Sequence, residues 1–311
     1  MLRFIPSRRL LLVMMLIAAA GVAMASVSVP AQADTAAAGE DKAAGPKHNK
    51  PVQPPAKRIV ALAPHIVELL YAIGAGDTIV GTTEYADYPE AAKTIPRIGS
   101  YAGVQVERVL ELQPDLVLAW KTGNSVADLA RIEEYGLRVV YSDLKHMKDV
   151  GDEIRMLGEL TGHQQAAERE AAQYEQHLAE IKARYAGKRR VKGFYELWSR
   201  PLTTVAANAW PQQQLEICGV DNPFAGGVDD YPQVGLEQVL VTMPEVIIQP
   251  DQHSRASPDA VDWGVWPLIP AVKMGAIFHP DSDKSHRMTP RTLDEMEILC
   301  EEVDQVRQQL Q

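Results

Sequence analysis

Cysteine, phenylalanine and positive charge are scarce in this 311-residue chain, and each scarcity removes a class of protein. The two cysteines, Cys218 and Cys300, form no C-x-x-C pair, and the chain has no G-x-S-x-G elbow and no phosphate-binding P-loop. The "GAG" at 74–76 is not a dinucleotide fingerprint, because the third glycine is misplaced. Lysine and arginine number 31 against 41 acidic residues, a net charge of −10, which excludes a general nucleic-acid binder. An acidic balance suits a freely diffusing protein with acidic docking faces. Beyond the N-terminal 33 residues no run is apolar enough to span a bilayer.

The N-terminal segment itself is apolar for another reason. Arg3, Arg8 and Arg9 precede an aliphatic run, small residues follow, and "AQAD" offers a cleavage point after Ala33. Residues 1–33 therefore read as a secretory signal peptide. Sec export is the simpler route, and Arg8-Arg9 leaves twin-arginine export open. No cysteine near the cleavage point is available for a lipid anchor. Without the signal, 28 basic residues face 41 acidic ones, a net charge of −13. Residues 34–57, rich in Ala, Pro, Gly and Lys without periodicity, read as a disordered leader. The remaining residues suffice for one large domain or two lobes. In an exported protein Cys218 and Cys300 either pair or remain two buried thiols.

Within the mature chain one sentence is written twice. Tyr101–Leu118, "YAGVQVERVLELQPDLVL", aligns without a gap on Tyr231–Ile248, "YPQVGLEQVLVTMPEVII"; six of eighteen columns are identical and five more are conservative. Each copy reads as a helix broken at Pro114 or Pro244 and followed by an aliphatic strand. Strands alternating with helices of about ten residues imply parallel sheets with right-handed crossovers. The fold class is thus α/β: two Rossmann-like lobes with mainly parallel sheets, residues 58–147 and 189–311, joined by a long rigid α-helix over 148–188 with a bend near Thr161-Gly162. Thr289 and Pro290 fit the cap and first position of a C-terminal helix. Two such lobes leave a cleft between them, where folds of this kind usually bind ligand.

No catalytic signature stands out. His65 and Glu68, one turn apart, more often mean a helix-start histidine beside an acid than a metal site. His279, Asp283 and His286 lack the spacing of a zinc hydrolase. Aromatic residues instead gather in loops at Tyr85, Tyr88, Tyr101, Trp120, Trp198, Trp210 and Tyr231, a distribution that suits the walls of a pocket for a flat or bulky ligand. Glu107 and Glu237 occupy the same place in both copies of the repeat. An acid in a first helical turn favours the helix dipole, and two at symmetric points can dock on a dimeric partner with basic pockets.

The segments "EYADYP", "GVQVERVLELQPDLVLAW" with the "GN" that follows, "LEICGVDNPF", "YPQVGLEQVL" and "DKSHRMTPR" together carry a resemblance. The chain resembles the helical-hinge, class III periplasmic binding proteins of ABC importers, and within them the cobalamin binders, from about Arg58 to the C-terminal helix. The resemblance implies a protein of the periplasm that is not an enzyme, holds no cofactor and carries a corrinoid such as cobalamin. It places Tyr85, Tyr101 and Tyr231 in the cleft, the last two where the family carries tryptophans, and lays Asp283, Lys284, Ser285, His286 and Arg287 along the ligand. It pairs Cys218 with Cys300, and sets Glu107 and Glu237 against a permease dimer that works with an ATPase, the only route to the membrane for a monomeric carrier. With Trp198 and Trp210 from the loop aromatics, these are the expected ligand contacts. His65 and His286 are departures from the family pattern that offer a nitrogen to the ligand's metal, and no other metal site is expected. Haem or a ferric siderophore is the alternative cargo. A metal-dependent hydrolase using His65, Glu68, His279 and His286 is the remote one.

Overall fold

The computed structural model describes residues 54–100, 102–251 and 259–310. The apolar runs Ile59–Ala61 (β1) and Leu116–Trp120 (β5) are buried along nearly their whole length, as central strands of a parallel sheet must be. They pair with each other, and β2 (Ile79–Thr82) and β6 (Val139–Ser142) flank them in the order β2-β1-β5-β6, all parallel. Alternate side chains serve two cores. Ile59, Ala61, Leu116 and Leu118 face one; Val60, Leu62, Val117 and Ala119 face the other, together with residues of α2 (Val106–Glu111) and α3 (Val126–Glu134). Helix α1 (Pro64–Ala72) opens with proline at its first position, where the missing N–H has no helical partner to lose.

The second lobe repeats this plan. Strands β10 (Val220–Asp221), β7 (Val191–Tyr195), β11 (Val246–Ile248) and β12 (Ile277–Phe278) pair in that order, again all parallel. Counted within its own lobe, each sheet runs second, first, third, fourth. Two antiparallel hairpins, β3 (Gly99–Ser100) with β4 (Gly103–Val104) and β8 (Trp198–Ser199) with β9 (Leu202–Thr203), lie outside the sheets. Helices α6 (Trp210–Ile217), α7 (Leu236–Thr242), α8 (Pro270–Met274), α9 (Ser282–Ser285) and α10 (Arg291–Gln309) complete the lobe. The Cys218–Cys300 disulfide ties the end of α6 to α10 across 82 residues, which in the chain-entropy account stabilises by about 4 kcal/mol.

The two copies of the repeated sentence match at the helix start, at the turn before the proline and at the acid before the strand. Helices α2 and α7 start at equivalent positions, and each ends beside a non-glycine residue in the left-handed region, Gln113 at φ 46° and Met243 at φ 49°. The next residue but one is an acid that pins the following strand. The Asp115 carboxylate accepts from the N–H groups of Lys57 (2.8 Å) and Arg58 (3.1 Å), and that of Glu245 accepts from Lys192 N–H (2.8 Å). The same two residues donate their own N–H groups to Arg58 and Lys192 carbonyls.

Three expectations change. The connecting segment is two helices, α4 (Asp149–Thr161) and α5 (Gln164–Tyr185), and the bend is a full reversal at Gly162, which sits at φ 79°. Arg155 consequently reaches Glu168 (2.8 Å) and Glu175 (2.5 Å), 13 and 20 residues further on, across an antiparallel pair. The strut is α5 alone, which packs on α4 and then meets α6 and α10 of the second lobe. Second, Ala56 is buried and its N–H donates to Leu160 O (2.8 Å), so the fold starts inside the stretch assigned to the leader. The signal segment and the leader up to residue 53 lie outside the described residues. Third, Thr289 does not cap α10, whose lead-in is Pro290 at φ −54°. No helix among the described residues is long and apolar enough to cross a membrane.

Candidate functional site

The carboxyl ends of β5 and β6 and the start of α6 converge on a cavity of about 500 Å³. Trp120, Thr122, Leu144, Lys145 and His146 line it from the first lobe; Asn208, Trp210, Asp230, Tyr231 and Met288 line it from the second. Its size falls in the range of small-molecule sites, and its position past the strand ends is the usual one for such sheets. The "GN" after Trp120 has a local task. Asn124 Oδ1 accepts from Trp120 N–H (2.7 Å) while Asn124 Nδ2 donates to Leu62 O (2.9 Å), which ties the ends of β5 and β1 together. His65 lies edge-on to Trp120, ring centres 5.6 Å apart, and its Nε2 meets Ser142 Oγ at 3.0 Å. Burial, helped by the charge of Arg287, pushes His65 down to about 3, so it backs the cleft wall as a neutral ring.

From the other lobe, Trp210 is only 5% exposed, and Tyr231 is raised above the ordinary phenol range by burial and by neighbouring Asp230. The indole N–H groups of Trp120 and Trp210 are both buried without an acceptor among the described residues. A buried unpaired donor costs about 1–3 kcal/mol.

Residues 283–287, "DKSHR", are not among those that line this cavity, and they join the lobes beside it. Arg287 is almost wholly buried, its side chain 9% exposed, and reaches Glu68 (2.8 Å) and Asp87 (2.9 Å) of the first lobe as well as Asp283 (3.2 Å) of its own. Arg291 joins Glu68 at 3.0 Å and stacks its guanidinium 3.8 Å from the ring centre of Tyr88. Burial pushes the Glu68 carboxyl up, and the two arginines pull against that rise. The result is a buried ionic latch between the lobes, flanked by the cleft residue Met288. Lys284 pairs with Glu295 (3.1 Å), Ser285 is buried, and His286 Nε2 meets Tyr195 Oη at 2.7 Å. Burial pushes His286 down to about 4.

Of the expected ligand contacts, the structure brings Trp210 and Tyr231 together with Trp120. Tyr85 is 56% exposed and is not among the residues that line the cavity, and Trp198, 59% exposed, borders a second cavity of about 230 Å³ with Glu196, Arg200 and Gln249. Tyr101 lies outside the described residues. His65 and His286 each already engage a hydroxyl, while His279 Nδ1 meets Gln249 O (3.0 Å). Among the described residues no three His, Cys, Asp or Glu side chains gather as a metal-binding group. Glu107 and Glu237 are exposed at matching places on α2 and α7; Glu107 pairs with Arg131 at 3.0 Å. Thr122, Lys145, His146, Asn208 and Asp230 carried no signal in the sequence, since polar loop residues follow no period.

Two like lobes on a helical strut, with an aromatic cavity between them, are the architecture of a solute-binding protein. The chain belongs to the periplasmic binding protein family, whose pattern matches residues 59–283. It is 36% identical over 259 residues to the vitamin B12-binding protein of Vibrio vulnificus (strain YJ016), a match that covers 82% of this chain and 92% of the relative. The crystal structure of the periplasmic vitamin B12 binding protein BtuF of Vibrio cholerae superposes with a TM-score of 0.75 at 34% identity, covering 81% of this chain and 98% of that one. The periplasmic heme-binding protein RhuT from Roseiflexus sp. RS-1 shares the fold at 24% identity and a TM-score of 0.70, covering 81% of this chain and 99% of that one. The protein therefore works in the periplasm with a small-molecule ligand and an ABC transporter as partner.

Proposed function

We infer that the protein captures cobalamin or a related corrinoid in the inter-lobe cleft and delivers it to the importer. The observation that carries this reading is the cavity in which Trp120 faces Trp210 and Tyr231 across the lobes, in a chain that matches vitamin B12-binding proteins over its whole described fold. A corrin is a broad macrocycle edged with amides. Aromatic faces suit its plane. Capture involves no bond making; a largely preformed cleft limits the ordering cost of binding.

Delivery uses symmetry. Glu107 and Glu237 stand one turn into equivalent helices of equivalent lobes, a spacing that suits a twofold permease presenting basic pockets. Residues 1–33 act as the export signal, and the carrier is a monomer. Uptake and binding assays test delivery and capture separately. The double variant E107A/E237A is expected to bind cyanocobalamin as tightly as the parent while failing to support its uptake. Lost affinity places these glutamates in the ligand site, and undiminished uptake removes them from docking.

A further inference from the structure

We propose that Lys145 and His146 form a phosphate subsite at the cleft edge, one that holds the nucleotide-loop phosphodiester of a complete cobalamin and so sets a preference over the bare macrocycle. This rests on the corrinoid reading above and adds to it the part of the ligand that the chain selects.

The backbone that carries these two side chains is fixed from three directions. Lys145 and His146 N–H groups donate to Asp149 Oδ2 at 3.2 and 2.8 Å. Gln213, from α6 of the other lobe, accepts from Met147 N–H (3.0 Å) and donates to Lys145 O (2.9 Å). Tyr174 of α5 donates its hydroxyl to Met147 O at 2.7 Å. With the backbone so held, the side chains of Lys145 and His146 are presented to the cavity from a stationary platform.

Lys145 is only loosely paired: Asp143 stands 3.9 Å away and is held more closely by Lys121 at 2.6 Å. The Asp149 carboxylate is engaged by the Lys145 and His146 N–H groups. Asp230, the one acid among the cavity's lining residues, belongs to the opposite wall. His146 also borders a neighbouring cavity of about 300 Å³ with Lys148 and Lys182, where the one acid, Glu216, accepts from Gln212 at 3.2 Å. Lys145 and His146 thus stand at the edge of the cleft, and Lys148 and Lys182 line the smaller cavity that His146 shares.

A corrin ring fringed with carboxamides gives such cations nothing to neutralise. The anionic group of cobalamin is the phosphodiester that links the ring to its nucleotide, and an ammonium recognises phosphate as a point charge. Cobinamide is the same macrocycle without the nucleotide and its phosphodiester.

Calorimetry with cyanocobalamin and dicyanocobinamide tests the assignment on the parent chain, on K145E/H146A, and on K145A, which removes one of the two side chains. The parent is expected to favour cyanocobalamin by about tenfold, the value of one charge-assisted contact. That ratio falls toward one in both variants through loss on the cyanocobalamin side, and raising the salt narrows it in the parent. A ratio that survives the substitutions, or both ligands weakening in parallel, overturns the subsite. Equal and tight binding of both corrinoids by the parent overturns the subsite and leaves the corrinoid reading standing. Binding of neither corrinoid by the parent removes that reading and the subsite with it.

Discussion

Glu153 lies on the buried side of α4, where one carboxylate oxygen has no partner among the described residues. Burial pushes its carboxyl up to about 7; a hydroxyl bond from Ser142 opposes the rise and the charge of Asp143 adds to it. A carboxyl raised in the folded state favours folding below its unfolded value and withdraws that stability as pH climbs through the folded value. Between pH 5 and 8 the loss amounts to up to about 3 kcal/mol. E153Q keeps the shape and removes the titration. Its melting temperature relative to the parent is expected to rise steadily from pH 5 to pH 8; a constant difference across that range contradicts the account. Single residues also show what a sequence can reveal. Trp120, Trp210 and Tyr231 were legible because large aromatics at strand-to-helix turns have few structural reasons to be there. Lys145 and Asn208 were not, because a polar residue in a loop is the commonest thing a loop contains.

At the scale of elements, the duplicated helix–strand unit was fully legible. Its prolines, its acids and its aliphatic columns each have one task, performed twice, down to a left-handed residue before each proline. The connection between lobes was only half legible. Helical periodicity continues across Thr161-Gly162, and an isolated glycine in such a pattern does not distinguish a bend from a reversal. What decides it is a contact between distant residues: α4 and α5 approach so closely that a Cβ placed on Gly158 would stand 2.3 Å from that of Ala167. G158A separates these effects. Alanine gains about 1 kcal/mol in helix propensity, whereas overpacking an interface whose backbones cannot part costs about 1–3 kcal/mol. Thermal unfolding is expected to show G158A less stable than the parent by up to about 2 kcal/mol, the net of those two effects. A stabilised variant would mean that the two helices are free to shift apart.

In the whole molecule the lobes are held at three places around the cavity. Helix α5 and the turn that follows it reach α10 through His177–Glu297 (3.1 Å) and Lys188–Asp304 (2.8 Å), and Gln213 clamps the loop after β6 to α6. The third place is Arg287, with Arg291 beside it, closed on Glu68, whose side chain is 3% exposed. Removing one partner from a buried pair of this kind costs about 3–5 kcal/mol, so the latch resists wide opening and favours a preformed cleft. None of this was visible in "DKSHR", a segment the family resemblance assigned to the ligand, because ion pairs between residues 219 positions apart leave no local pattern. Symmetry, by contrast, was in the sequence from the start: two like lobes enclose one site. Calorimetric titration of cyanocobalamin into the purified chain tests that claim most directly. One molecule per chain with a dissociation constant below about 1 μM is the predicted result; no binding of cyanocobalamin, with tight binding of haem under the same conditions, would contradict it.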